Sequence, residues 1–167
     1  MAAEQHAQGY AGDLTAAEAW ALLSRDPDAQ LIDVRTAAEA WDLLARETDA
    51  QLIDVRTAAE WNFVGRPDLA SIGRKAHGVE WQIFPGMAQN QDFVAQAAAV
   101  LGGRKDAPVL FLCRTGGRSR AAATAMAAAG YTRSYNIAAG FEGDLDPEHH
   151  RGQKNGWKAE GLPWRQT

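Results

Sequence analysis

Short apolar runs alternate with amphipathic or alanine-rich stretches along most of this chain. The apolar runs are typical of buried strands, and the longer stretches are typical of helices. Predicted strands cover residues 52–55, 78–84, 108–112 and 134–138, and predicted helices cover residues 38–47, 92–101 and 118–129. This alternation predicts an α/β fold in which helices cover both faces of a parallel sheet. The length of 167 residues suits one domain, residues 1–167.

The loop Cys113–Ser119 lies between a predicted strand and a predicted helix, and it contains the only cysteine of the chain. Its glycines tolerate positive φ, so successive backbone N–H groups can converge on an anion at the helix N-terminus. Such a site stabilises a thiolate, which is the nucleophilic form of cysteine. The loop therefore predicts a reactive Cys113. The alternative is a small apolar cysteine that only packs at the end of a core strand.

Residues 112–119, Leu-Cys-Arg-Thr-Gly-Gly-Arg-Ser, resemble the active-site loop of single-domain rhodaneses, the thiosulfate sulfurtransferases. Other segments that resemble this family are Leu52–Arg56 with Glu60 and Trp61, Tyr135–Phe141 and Gly156–Pro163. The resemblance extends from about residue 10 to the C-terminus and implies a rhodanese-like fold. One departure is that Val64–Leu69 stands where the family has Gly-His-Ile-Pro-Gly-Ala.

The resemblance implies a sulfurtransferase that carries sulfur on Cys113 as a persulfide. Thiosulfate is the implied donor, cyanide or a thiol is the implied acceptor, and no cofactor is expected. The implied substrate-binding residues are Arg114, Thr115, Gly116, Gly117, Arg118 and Ser119, and the implied supporting residues are Asp54, Arg56 and Glu60. Arg114 is the candidate for contacting the sulfonate oxygens. Arg118 is expected to brace the loop by pairing with Asp54 or Glu60.

The length of the loop separates sulfur chemistry from phosphorus chemistry. Related cysteine-loop phosphatases have five residues between the cysteine and an arginine. Here Arg118 stands five positions after Cys113, and Ser119 occupies the sixth position. The shorter ring of N–H groups suits a terminal sulfur better than a phosphoryl group, so the spacing favours a persulfide. A phosphatase that uses Arg120 is the weaker enzyme alternative.

A nearly perfect tandem repeat precedes the second half of the chain. Residues 17–37 recur as residues 38–58, with seventeen of twenty-one positions identical. The differences are Ala21/Asp42, Ser24/Ala45, Asp26/Glu47 and Pro27/Thr48. Each copy predicts one helix and one strand. A rhodanese-like sheet has one place for such a unit, so one copy is surplus, and the closeness of the match suggests a recent duplication or a deliberate construction.

The second copy continues into the residues that the family pattern expects, so its strand is predicted to join the sheet with Asp54 and Arg56 near the site. The first copy is expected to be looped out or packed on the surface, although it could also be a disordered insertion. The segment Gly9–Leu14 could supply an edge strand. A dimer that exchanges the copied unit between two chains is a further alternative. The alternative to an enzyme is a non-catalytic module of the same fold, either a sulfur carrier for a partner or a scaffold in which the duplicated unit acts as a designed conformational switch.

Charge and composition exclude several other functions. The formal net charge is −4, and no basic run or RNA-binding aromatic motif is present, so nucleic acid is not an expected partner. No apolar stretch approaches a membrane span, and Met1–Gly12 lacks the regions of a signal peptide. A single cysteine fits a reducing cytoplasm and leaves no resolving cysteine in the chain. The pair His149 and His150 predicts a solvated loop rather than a metal site.

Overall fold

The structure is a computed structural model that describes residues 14–167. The α-helices of this part are α1 (Ala16–Arg25), α2 (Ala37–Arg46), α3 (Ala58–Phe63), α4 (Phe93–Val100) and α5 (Gly117–Ala128). The strands are β1 (Asp33–Arg35), β2 (Gln51–Asp54), β3 (Arg66–Pro67), β4 (Ala76–Gly78), β5 (Gln82–Ile83), β6 (Ala88–Gln89), β7 (Val109–Leu112), β8 (Ser134–Ile137) and β9 (Trp164–Arg165). In these residues no helix is both long and apolar enough to cross a bilayer.

Five strands form one parallel sheet in the order β1-β8-β7-β2-β4. The central strands β7 and β2 are largely buried, because alternate side chains enter two apolar layers. Ile53 and Phe111 belong to the layer that includes residues of α4 and α5, whereas Leu52 and Leu110 belong to the layer that includes residues of α2. The predicted α/β fold, a parallel sheet flanked by helices, is confirmed.

The prediction of one strand over residues 78–84 is wrong. Gly78 ends β4, the last strand of the parallel sheet, and Gln82–Ile83 pairs instead with β6 in an antiparallel hairpin. Between them the chain stays beside the end of β2, because the Val79 amide donates to the Asp54 carbonyl at 3.1 Å. An apolar run shows that a segment is extended, but it does not show which strand will pair with it.

The two copies of the repeat share their sequence but not their surroundings. The strand of the second copy, β2, joins the sheet as predicted, and it lies between β7 and β4. The strand of the first copy, β1, pairs with β8 and forms the edge of the sheet, so the expectation that the whole first unit lies outside the sheet is wrong for this strand. An edge position has one neighbour and tolerates a short, half-exposed strand. The other edge candidate, Gly9–Leu14, lies outside the described residues except for Leu14.

The helices of the two copies differ in burial more strongly than the strands do. Helix α2 buries Ala37, Ala40 and Leu44 in the core, whereas α1 buries none of its side chains. Trp20 of α1 is 74 % exposed, while the equivalent Trp41 packs edge-on against the Trp157 ring. The described residues divide into two compact units between Leu31 and Ile32, with α1 in the first and β1 in the second. Exchange of the copied unit between two chains stays a prediction.

Removal of either copy is expected to leave a folded protein. Deletion of residues 15–35 and deletion of residues 36–56 give chains that differ at only the four non-identical positions of the repeat. In both chains the remaining copy should occupy the place of α2 and β2, and the edge strand β1 should be lost. Asp42, Ala45 and Thr48 are exposed, and Glu47 is partly exposed in an ion pair with Arg133. Since substitutions at such positions usually change stability by under about 0.5 kcal/mol each, the two unfolding free energies should agree within about 2 kcal/mol in urea titrations. If the chain that lacks residues 15–35 folds and the chain that lacks residues 36–56 does not, the two copies are not interchangeable.

Candidate functional site

Cys113 follows β7 directly, at the carboxyl edge of the sheet, and its side chain is buried. Parallel sheets usually bind ligands at this edge. The Gly116 amide donates a hydrogen bond to Cys113 Sγ at 3.1 Å, and Ser119 Oγ lies 3.2 Å from the same sulfur. Two groups of the loop that can donate a hydrogen bond therefore lie within reach of the sulfur atom.

The loop ends at the N-terminus of α5, and this position supplies further donors. Gly116 is the N-cap and has φ of 108°, a conformation that glycine adopts without strain. The amides of Gly117, Arg118 and Ser119 begin the helix and have no intrahelical acceptor. No side chain caps this end of the helix. The positive end of α5 thus lies beside the sulfur with its N–H groups uncommitted to the helix.

The segment after β8 fixes the first half of the loop. The Phe141 amide donates to the Cys113 carbonyl at 2.8 Å, and the Glu142 amide donates to the Arg114 carbonyl at 3.0 Å. Gly140 packs so closely that any side chain there would collide with the backbone of Cys113 and Arg114. These contacts leave the loop little freedom, so its donors are preorganised.

Arg118 pairs with Glu60 and not with Asp54, which was the other candidate. Its two terminal nitrogens lie 2.7 and 2.9 Å from the Glu60 carboxylate oxygens, and both side chains are mostly buried. Burial raises the pKa of Glu60, but the Arg118 guanidinium and a hydrogen bond from Thr57 outweigh it, so this pKa lies below its ordinary value. The hydrogen bond to Glu60 raises the pKa of Arg118. The pair ties the beginning of α5 to α3.

Asp54 and Arg56 form a second, fully buried ion pair that does not contact the sulfur. Arg56 makes two parallel hydrogen bonds to the Asp54 carboxylate, Nη2 at 2.6 Å and Nε at 2.9 Å. It also donates to the Gly65 carbonyl at 2.8 Å, and its guanidinium lies 4.2 Å from the centre of the Phe141 ring. The pair therefore joins the end of β2 to the segment Val64–Leu69, which departs from the rhodanese pattern, and to the segment that fixes the loop.

Comparison with known proteins identifies the family. The model of the family described as the STR4 middle domain matches residues 35–167, about four fifths of the chain. The chain belongs to this family. The match includes the whole second copy of the repeat and only the last residues of the first.

The relatives and solved structures described next each match more than four fifths of this chain. The uncharacterized protein RP600 homolog of Rickettsia rickettsii is 36 % identical over 153 residues, which are 92 % of this chain and 96 % of the relative. The crystal structure of Rv0390 from M. tuberculosis is 46 % identical and covers 83 % of this chain and 100 % of its own, with a TM-score of 0.73. The solution structure of the polysulfide-sulfur transferase homodimer from Wolinella succinogenes is 22 % identical, with a TM-score of 0.56, and covers 89 % of this chain and 86 % of its own. The STR4-type chain thus has the rhodanese-like fold that its loop implied.

The remaining loop residues of this STR4-type domain differ in their exposure. Arg114 is exposed and Thr115 is partly buried, and neither side chain forms a hydrogen bond with another residue in 14–167. Arg120 is also exposed, inside α5. Within the same residues no group of three or more His, Cys, Asp and Glu side chains could hold a metal ion. Arg114 is therefore the loop cation that is available to a bound anion.

The sequence pattern did not identify one residue of this site. Asn136 lies on β8, is 2 % exposed, and its Oδ1 accepts a hydrogen bond from Ser119 Oγ at 2.6 Å. It extends the contacts of the sulfur to a third element of the fold. The available signal was a polar amide in the middle of a predicted strand, Ser134–Ala138, since such groups are seldom buried without a partner.

Proposed function

We propose that this protein is a sulfurtransferase that moves sulfane sulfur from thiosulfate to cyanide or a thiol through a persulfide on Cys113. The observation that carries the proposal is the placement of Cys113 Sγ against the Gly116 amide and the Ser119 hydroxyl, at the N-terminus of α5. Donors in this arrangement favour an anionic sulfur over a neutral thiol. The rhodanese-like fold supports this chemistry, since it is shared with a polysulfide-sulfur transferase.

The first half-reaction makes the persulfide. The Cys113 thiolate attacks the outer sulfur of thiosulfate and forms a new S–S bond. The bond between the outer sulfur and the sulfonate sulfur breaks, and its electron pair leaves with sulfite. In the second half-reaction cyanide or a thiolate attacks the terminal sulfur of the persulfide, and the electron pair of that S–S bond returns to Cys113 as the thiolate. Two half-reactions on one nucleophile predict ping-pong kinetics.

The groups around the sulfur have different roles in this proposal. The amides at the beginning of α5 and the Ser119 hydroxyl stabilise negative charge on the terminal sulfur. The exposed Arg114 guanidinium binds the sulfonate oxygens of the incoming donor, which a planar cation with several N–H groups suits. Arg118 is already paired with Glu60, so its role is to hold the loop and not to bind the substrate.

Direct detection of the persulfide tests the proposal. After incubation with thiosulfate, intact-mass and peptide mass spectrometry should show a gain of one sulfur atom on Cys113. Addition of cyanide should remove that sulfur and release an equal amount of thiocyanate. Protein alkylated at Cys113 beforehand is the control and should do neither.

Three other outcomes would reject the thiosulfate reaction. A protein that is alkylated normally at Cys113 but gains no sulfur would support a non-catalytic carrier or scaffold. If Cys113 gains sulfur only from a different donor, the proposed substrate is wrong and the proposed persulfide stands. Hydrolysis of an aryl phosphate that requires Cys113 would support the phosphatase alternative.

A further inference from the structure

We propose that Asn136 is a positioning residue for sulfur chemistry, because its side-chain amide sets the direction of the Ser119 hydroxyl and thereby the hydrogen bonding of Cys113. The three side chains are buried together, with exposed fractions of 0 to 2 %. They form a continuous chain of contacts, 3.2 Å from sulfur to hydroxyl and 2.6 Å from hydroxyl to amide oxygen. The effect of Asn136 on turnover rests on the proposed sulfurtransferase function, but its effect on the thiol does not.

The proton count explains why the amide matters. A serine hydroxyl has one proton and can donate it to only one acceptor at a time. While Cys113 is a thiol, its S–H can donate to Ser119 Oγ, and the hydroxyl can donate to Asn136 Oδ1. A thiolate or a persulfide anion has no proton to give, so the hydroxyl must turn and donate to the sulfur instead.

An amide can serve both arrangements. When the sulfur is anionic and the hydroxyl turns towards it, Ser119 Oγ no longer accepts a hydrogen bond from the Cys113 S–H and is free to accept one from another donor. Rotation of the Asn136 amide presents Nδ2 to that oxygen, and the hydroxyl then donates to the sulfur more strongly, because aligned hydrogen bonds reinforce one another. Neither an apolar side chain nor a carboxylate can do both. Asn136 is therefore suited to a sulfur that alternates between neutral and anionic forms.

The charges around the sulfur are fixed by other residues. Arg118 approaches it from α5 and is paired with Glu60 of α3, while Asp54 lies on the neighbouring strand β2 and is paired with Arg56. Both carboxylates are ion-paired, and the Arg118 guanidinium together with a hydrogen bond from Thr57 outweighs the burial of Glu60 and holds its pKa below the ordinary value. Asn136 belongs to neither ion pair, so a change at Asn136 leaves both pairs in place.

A double-mutant cycle on thiol reactivity tests the proposal without any sulfur substrate. Asn136→Leu and Ser119→Ala should each slow alkylation of Cys113 by iodoacetamide by up to about 10-fold at a pH below the midpoint of the pH–alkylation profile, where the rate follows the thiolate fraction, and the size is that of one hydrogen bond to a charged group. The double variant should be no slower than either single variant, because Asn136 acts through Ser119. The matched control is Thr124→Ala, which removes an exposed hydroxyl of the same helix and should change nothing. Effects that multiply in the double variant would overturn the proposal.

A second variant keeps the test valid if Asn136→Leu does not fold. Asn136→Asp accepts hydrogen bonds as a carboxylate and adds a negative charge near the sulfur. Its pH–alkylation profile should have a midpoint about one pH unit or more above that of the unmodified protein. In a Ser119→Ala background only the direct effect of the added charge should remain, so the rise of the midpoint should be smaller there, and an equal rise in both backgrounds would reject the proposal. If the cycle shows coupling but thiosulfate gives no persulfide, the proposed function fails and the positioning of the thiol stands.

Discussion

Replacement of Cys113 by Ser is expected to reduce sulfur transfer from thiosulfate to cyanide by at least about 1,000-fold, to the rate without protein. Loss of a covalent nucleophile removes both half-reactions at once, and effects of this size or larger are typical of such residues. The hydroxyl of the new serine is a much weaker nucleophile and lies in a site that favours an anionic sulfur. Release of sulfite and release of thiocyanate, measured separately, should fall together.

The fold of the Cys113→Ser protein is the control for this result. The substitution is small, and the serine hydroxyl that it introduces could still accept from the Gly116 amide. The circular dichroism spectrum and the urea midpoint should therefore be close to those of the unmodified chain. Residual thiocyanate formation above the protein-free rate in such a folded variant would contradict the role of Cys113. Sulfite release that persists while thiocyanate release is lost would mean that another group receives the sulfur.

The sequence predicted the part of the site that one continuous segment forms. Cys113, Gly116 and Ser119 belong to a strand, a turn and a helix that follow each other directly, so short-range signals decide their geometry. The partner of Arg118 could be narrowed only to Asp54 or Glu60. That choice depends on how α3 is oriented, which is a tertiary property. Asn136 was missed for a related reason, because the contact joins two elements that are not adjacent in sequence.

The repeat shows that local sequence signals predict a helix or strand but not where it packs. The same Thr-Ala-Ala-Glu sequence starts the helix of each copy, with Thr15 and Thr36 as the N-caps, and both form a complete capping box. Local propensity is therefore the same in both copies, yet one helix is buried on the core and the other exposes its apolar side chains. Only the neighbours that the chain brings to each copy distinguish them. The first strand was expected outside the sheet because a vacant edge beside β8 is not visible in the sequence.

Replacement of Arg56 by Met is expected to lower the free energy of unfolding by about 3–5 kcal/mol, because it leaves the buried Asp54 carboxylate without its partner. The repeat supplies a matched control in the same molecule. Arg35 occupies the equivalent position in the first copy and pairs with Asp33 at 2.8 Å, but the two side chains are 40 % and 47 % exposed. Arg35→Met should therefore cost no more than about 1 kcal/mol. Urea titrations of the two variants measure both values.

The comparison also tests which copy occupies the centre of the sheet. If the first copy could readily replace the second, Arg56→Met would be relieved by placing Asp33 and Arg35 where Asp54 and Arg56 lie, and its cost would fall to the free-energy difference between the two arrangements. Equal, small losses for the two variants would therefore contradict the assignment of β2 to the second copy. In the expected case the losses differ by at least about 2 kcal/mol. Since the Asp-Val-Arg sequence is the same in both copies, that difference measures the effect of burial on one ion pair at constant local sequence.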